Sequence, residues 1–382
     1  MSYIQTWVFM IHPALMPLIG CRVVEIMVNH GVISECAFGL SVVSYCHIAF
    51  LGDIAEGHRL SKLAVILLES LPNSMRHLPR LKTLCYNLVN FWTEPLQATA
   101  SSLLQCHHDA LAVGDLEYAC LALQFHCNQI SLNGTDLRQV ESRFASAMDT
   151  FKRLNHLASL SNFLTQYRKV VLLTGSEVDL FDGLEHVARD EEDLLQRALD
   201  RGQKSLVQVI LINRLVVAFH TRNHDVAAST YLRIERDMRP TPSFVPGFAL
   251  QTFFGGLTAF RIARGRAQPS GWMDMGDACI TSYRAWEAHS PWNWRNKLLL
   301  LEAEQAFARG EMETARVKYG ESADAASRHR FLNEEGLAYE LAADFHGSRD
   351  DQAERDRCLD QARDCYQRWG AATLVSLIDE SR

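Results

Sequence analysis

Apolar side chains return every third or fourth position along almost the whole chain. Leu60, Leu63, Ala64, Ile66, Leu67 and Leu68 make one such stripe, and Leu298, Leu299, Leu301, Ala303 and Ala306 make another. That spacing predicts helices with one buried face, and the strict alternation of a half-buried strand is scarce. The β-branched run from Val207 to Ile212 passes for a strand in isolation. It is embedded between Leu194, Leu195 and Ala198 on one side and Leu215 to Ala218 on the other, which predicts a buried helix. Breaks fall at Gly31, Gly52, Asn73, Pro95, Gly114, Asn133-Gly134, Gly175, Gly202, Asn223, Gly247, Gly271, Pro291, Gly310 and Gly347. Pro95 is typical: it holds Glu94 out of helical geometry and suits the first turn of the next helix. The punctuation divides the chain into roughly nine or ten helical hairpins of about 34–45 residues.

The hairpin turns share a pattern. Gly52-Asp53, Gly114-Asp115 and Gly310-Glu311 each follow one apolar run and open another, with Gly57, Ala119 and Ala315 five positions after the glycine. A glycine there ends a helix with backbone that other residues adopt poorly. The acidic residue behind it sits where the macrodipole of the next helix favours negative charge. The small residue lets two antiparallel helices approach closely. Helix, tight turn and helix, repeated, predict an all-α, tetratricopeptide-like solenoid, a superhelix of antiparallel hairpins.

One continuous superhelix over residues 1–382 is expected, bent near 175–183 and 239–246. The first stretch is an acidic loop and the second carries three prolines. Repeats are most regular over 296–378. Gly310, Ala315 and Tyr319 occupy turn, small and aromatic positions, and the second helix runs to about His329. Phe331 to Phe345 and Asp351 to Trp369 form the next pair, with Ala362 and Tyr366 packing between them.

Composition narrows the partner class. Of 382 residues, 38 are basic and 45 acidic, a balance that argues against nucleic-acid binding. None of the ten cysteines forms a CxxC pair and most lie in apolar helical runs, so buried reduced thiols and a cytoplasmic location are expected. Trp7 to Ile19 is apolar but interrupted by Pro13 and Pro17, and is shorter than the ~20 residues that span a bilayer. It reads as a buried helical edge, and no membrane partner is expected. Because Trp7 to Ile19 carries little charge, an exposed apolar patch is expected at this end, making the chain self-associate or require a partner.

Candidate chemistry is thin. Gly52-Asp-Ile-Ala-Glu-Gly57-His58 spaces two glycines as a phosphate loop does, but His58 and Arg59 stand where lysine and Ser/Thr are needed. Cys106, His107, His108, Cys120, His126 and Cys127 are ligand types without the tight pairing zinc sites use. Asp190, Glu191, Glu192 and Asp193 resemble a magnesium-holding cluster, yet they open a helix where negative charge is stabilising anyway. GxSxG and HExxH motifs are absent. The histidines read as exposed or capping residues. Trp286, Trp292 and Trp294 flank Pro291, and packing at a helix corner is preferred to a binding hot spot. No cofactor, metal or catalytic residue is expected.

Trp92-Thr-Glu94-Pro95-Leu96 followed by Gly114-Asp115-Leu116-Glu117-Tyr118-Ala119 resembles a helical region of very large signalling proteins. In that family a serine/threonine kinase-like domain and an AAA-type predicted ATPase precede the region, and sensor histidine-kinase modules follow. Trp286-Glu-Ala-His289-Ser-Pro291-Trp-Asn293, with Leu301 to Glu304, matches in order, as does Cys365-Tyr366-Gln-Arg368-Trp369-Gly370-Ala371. Gly52, Asp53 and Gly57 fit the same pattern, and the likeness covers about residues 12–378. It implies a non-enzymatic connector, with a protein partner, between an ATPase switch and histidine-kinase output, and carries over no catalysis. The alternatives are an all-helical enzyme or small-ligand-binding protein, or a fragment of a larger sensor kinase. A deep polar pocket would favour an enzyme; an open concave groove would favour the connector.

Overall fold

The glycine–acid turns end helices as their composition requires. Gly52, Gly114 and Gly310 all adopt positive φ, 69°, 76° and 77°. Behind them the Asp53 and Asp115 carboxylates accept hydrogen bonds from the backbone N–H of Glu56 and Tyr118. Glu311 caps with no side-chain bond. The small residues are buried as expected: Ala119 and Ala315 are fully buried, and a Cβ at Gly57 would lie 2.8 Å from the Ser44 carbonyl oxygen.

The computed structural model describes residues 15–72, 74–154, 156–182, 184, 186–237, 246–265 and 270–382, together with Val8. Among these residues there are eighteen α-helices and no strand. The first half holds α1 (Met16–His30), α2 (Ser34–Leu51), α3 (Ile54–Glu69), α4 (Leu78–Leu88), α5 (Leu96–Ala112), α6 (Leu116–Ile130), α7 (Leu137–Arg153), α8 (Leu157–Thr174) and α9 (Glu191–Asp200). The second holds α10 (Lys204–His220), α11 (His224–Asp237), α12 (Pro246–Arg264), α13 (Ser270–Glu287), α14 (Pro291–Arg309), α15 (Met312–Arg328), α16 (Leu332–Gly347), α17 (Gln352–Trp369) and α18 (Ala372–Glu380). Val207 to Ile212 lies inside α10, so the strand-like run is helical.

Neighbours in sequence pack as hairpins, most extensively α16 on α17, α14 on α15 and α5 on α6. A second set of contacts joins every other helix: α2, α4, α6, α8, α10, α12, α14 and α16 each touch the next, forming an inner row. The intervening helices form an outer row. The protein is an all-α solenoid. Inner helices are the apolar ones: α10 buries Val207, Ile210, Leu211, Leu215 and Phe219 on several sides, as expected of a helix with no solvent face. One apolar core runs from Tyr45 to Ile378, and a smaller cluster around Phe38, Leu68 and Leu81 serves the first hairpins.

Several expectations need correcting. Gly247 and Gly271 lie in the first turns of α12 and α13 rather than between helices, whereas Gly347 ends α16 as expected. Residues 175–182 are irregular, in keeping with the loop expected there, and Leu180 and Phe181 are buried within it. The proposed bend at 239–246 falls almost wholly outside the described residues, as do Asn73 and all of Trp7 to Ala14 except Val8. Leu18 is 67% exposed, so the buried-edge reading does not extend to it. The ten cysteines are free, but Cys21 is exposed. His107, His126 and His220 are buried rather than capping.

Candidate functional site

Two segments about 200 residues apart in sequence meet in space. Pro95 lacks an N–H and stops the short 3-10 turn Asn90–Trp92 from continuing into α5. That leaves backbone groups without helical partners. Asn293, in the first turn of α14, supplies them. Its Nδ2 donates to the carbonyls of Phe91 at 2.9 Å and Glu94 at 2.8 Å, and its Oδ1 accepts from Leu96 N–H at 3.0 Å. Every donor and one acceptor site of this buried amide is thereby used on backbone.

Aromatic rings seal the junction. Trp92 lies 5.1 Å from Trp286 and 5.6 Å from Trp294, centroid to centroid, and Trp286 is 4.9 Å from Tyr283. The tilted and edge-on arrangements are those aromatic pairs prefer. The seam continues along the molecule. Gln97 Nε2 donates to the carbonyls of Asn133 and His329, and a Cβ at Gly134 would lie 2.8 Å from Leu332 N. Thr373 Oγ1 donates to Leu172 O at 2.7 Å, where α18 meets α8. A Cβ at Gly370 would lie 2.9 Å from Asp136 Oδ1, and Trp369 packs 6.2 Å from the His220 ring.

Buried charge lies against this seam. Lys297 Nζ donates to Asn293 O at 2.9 Å and pairs with Glu334 at 2.7 Å, and it sits 4.1 Å from the Phe331 ring centroid. Asn296 also donates to Glu334. Burial pushes the Lys297 ammonium down and the Glu334 carboxyl up, each against the pull of the other. The adjacent cavity, lined by Leu96, Asn293, Trp294, Lys297 and Phe331 among others, holds about 20 Å³, room for a single water. Further along, Arg264 pairs with Glu304 at 2.6 Å and Arg222 with Glu340 at 2.8 Å, and the more exposed Arg261 pairs with Asp344 at 2.6 Å. The Tyr319 and Tyr366 hydroxyls donate to the same glutamates, Glu304 and Glu340. These groups neutralise one another in fixed geometry, which suits holding helices in register.

The sequence candidates sort accordingly. Trp92, Glu94, Pro95, Trp286, Pro291 and Asn293 come together at the seam, and Trp369 and Gly370 lie farther along it. Glu94 is desolvated, but hydrogen bonds from His58 and Lys62 outweigh that and hold its carboxyl below the usual range. His289 sits in the turn before α14, its N–H bonded to Trp286 O. Gly52, Asp53, Gly114, Asp115 and Gly310 stay at their hairpin turns; Asp115 also accepts from Arg80 at 2.7 Å.

His107 and His126 donate from Nδ1 to the carbonyls of Ala119 and Ala100, each at 2.8 Å, stitching α5 to α6. Burial lowers the pKa of both. Asp190 caps α9, Glu191 pairs with Arg168 and Arg214, and Asp193 with Arg189 and Arg197. Among the described residues no group of three acidic, histidine or cysteine side chains is arranged to hold a metal.

Lys169 is a feature the sequence hid. It is buried, and among the described residues its ammonium donates to Ser131 Oγ and Gln166 Oε1, both at 3.3 Å. Burial pulls its pKa down to about 8. A lysine beside Arg168 in a helical run carries no mark that distinguishes it from a surface residue.

No family model matches this chain, and no curated protein does. Among solved structures it is similar to a circular tandem repeat protein with novel repeat topology and enhanced subunit contact surfaces. The match is 14% identical, covers 97% of this chain and 99% of that one, and has a TM-score of 0.21.

Proposed function

We propose that the chain is a non-enzymatic scaffold for protein–protein interaction, a connector in signal transduction that works in the cytoplasm without cofactor, nucleic acid or membrane. The observation that carries this reading is the division of labour between the two rows of helices. Inner helices are buried on several sides, by apolar side chains and by paired charges such as Lys297 and Glu334, while outer helices bury chiefly one side. On α15 that side carries Ala315, Tyr319, Ser322, Ala323 and Ala326, and on α17 it carries Cys358, Leu359, Ala362, Tyr366 and Trp369. Ala325 and Cys365 are buried beside these stripes, and most of the remaining positions of both helices face water on a repeated support, the arrangement by which solenoids offer extended binding surfaces. The partner surface is therefore assigned to the outer row.

The signalling role rests on the resemblance of the ordered motifs around Trp92, Trp286 and Trp369. Two of them share the seam, which supports reading them as a structural signature. On this account the partners are proteins carrying ATPase or histidine-kinase modules. Affinity capture with the intact chain, followed by cross-link mapping, tests it: cross-links should fall on α15 and α17. Saturable ATP binding with turnover by the purified chain would favour an enzyme instead and sink the reading.

A further inference from the structure

Short turns make each outer helix antiparallel to the inner helix that follows it, so the outer helices all run the same way. One edge of the solenoid therefore collects their C-terminal ends and the other their N-terminal ends. Along the seam these two edges already meet inside one molecule. The starts of α14, α16 and α18, just after outer helices end, sit on the chain before α5, before α7 and at the end of α8. Leu96 lies 197 residues from Asn293 and Leu172 lies 201 from Thr373, so two successive turns of a superhelix stack edge on edge.

The same two edges recur at the ends of the stack. The C-terminal edge of the first turn carries Arg76, Lys152, Arg153, Arg201 and Lys204, and the N-terminal edge of the second carries Asp225, Glu311 and Asp350, all exposed. Each sign suits the helix end beside it, yet among the described residues none of these groups has an ion-pair partner. Glu117 and Asp200 offset part of the basic edge. On the acidic edge Arg222 and Arg309 are paired with Glu340 and Asp277, and Arg349 lies over the Phe345 ring.

We propose that copies of this chain associate head to tail, the basic edge of the first turn of one copy against the acidic edge of the second turn of the next. The contact continues between molecules the edge-on-edge stacking that the seam makes within one. Opposite charges select the partner edge and speed its approach, and salt screens them. Because the two edges differ, the contact does not close on itself and builds chains of increasing length.

Sedimentation equilibrium of the full chain across the micromolar range, at low and at high salt, tests this, with circular dichroism melts to verify folding. The wild type should gain mass with concentration at low salt and revert to monomer at high salt. R76E/R153E/K204E leaves two acidic edges and D225K/E311K/D350K leaves two basic ones, so each alone should associate about tenfold more weakly or worse. In an equimolar mixture of the two variants every basic edge again finds an acidic one, and association should return. Because all six positions are exposed, both variants should fold. A wild type that stays monomeric at low salt overturns the proposal. So does either variant associating as the wild type does, or a mixture of folded variants that fails to restore association.

Discussion

Replacing Asn293 by alanine should loosen the protein far more than its single-residue size suggests. The side chain makes three hydrogen bonds to backbone groups of residues 91–96, at 2.8 to 3.0 Å, and is 1% exposed. A typical internal hydrogen bond contributes about 1 kcal/mol net, and an orphaned buried partner costs about 1–3 kcal/mol. Three bonds lost, with some of their partners left dry, give about 3–5 kcal/mol for N293A. N293D is the sharper probe. It keeps shape and volume but turns the donor into an acceptor facing two carbonyls, so it should destabilise at least as much as alanine. Urea unfolding followed by circular dichroism reads both as shifts in midpoint at constant slope. A loss below about 1 kcal/mol for either variant, within the range of ordinary surface substitutions, would refute the reasoning that this amide joins the two segments.

K169M should stabilise the protein near neutrality. The folded-state pKa of about 8 against an unfolded value of ~10.4 corresponds to about 3 kcal/mol. The native state holds the proton less tightly, so the cost is present in full below pH 8 and is relieved as pH rises from 8 towards 10.4. The advantage of K169M should shrink over that window, and a difference independent of pH would contradict it. A315F should cost about 1–3 kcal/mol by overpacking, because Ala315 is fully buried between α14 and α15; an unchanged denaturant midpoint would show that the hairpin register is wrong. G134A should destabilise by about 1–3 kcal/mol, since φ is 82° and the added carbon meets the backbone of residues 330–332; a thermal melt that does not move would count against it.

Local chemistry explains what was legible. Helix existence, the glycine–acid turns and the small residue five positions on are set by neighbours a few residues apart, and Gly52, Gly114 and Gly310 behave alike. Boundaries slipped where a glycine was read as punctuation without its backbone: Gly247 and Gly271 sit inside first turns, where nothing demands positive φ. The seam was out of reach. Trp92-Thr-Glu94-Pro95 and Pro291-Trp-Asn293 both stand out as motifs, yet nothing in either states that one bonds the other across about 200 positions. The buried histidines are hidden for a related reason. His107 and His126 look polar in sequence, but each finds a carbonyl on the opposite helix of its hairpin, and burial follows from that pairing.

The backbone N–H of Leu96 tests the account most directly. It lies in the first turn of α5, where a helix offers no internal acceptor, and its partner is Asn293 Oδ1, 197 residues away. Amide hydrogen exchange at Leu96 should therefore be slow in the native protein and should rise sharply in N293A, while Leu103 in the middle of α5 keeps its protection. Exchange of Leu96 in the wild type at the rate of an unprotected amide would contradict the joining of the two segments.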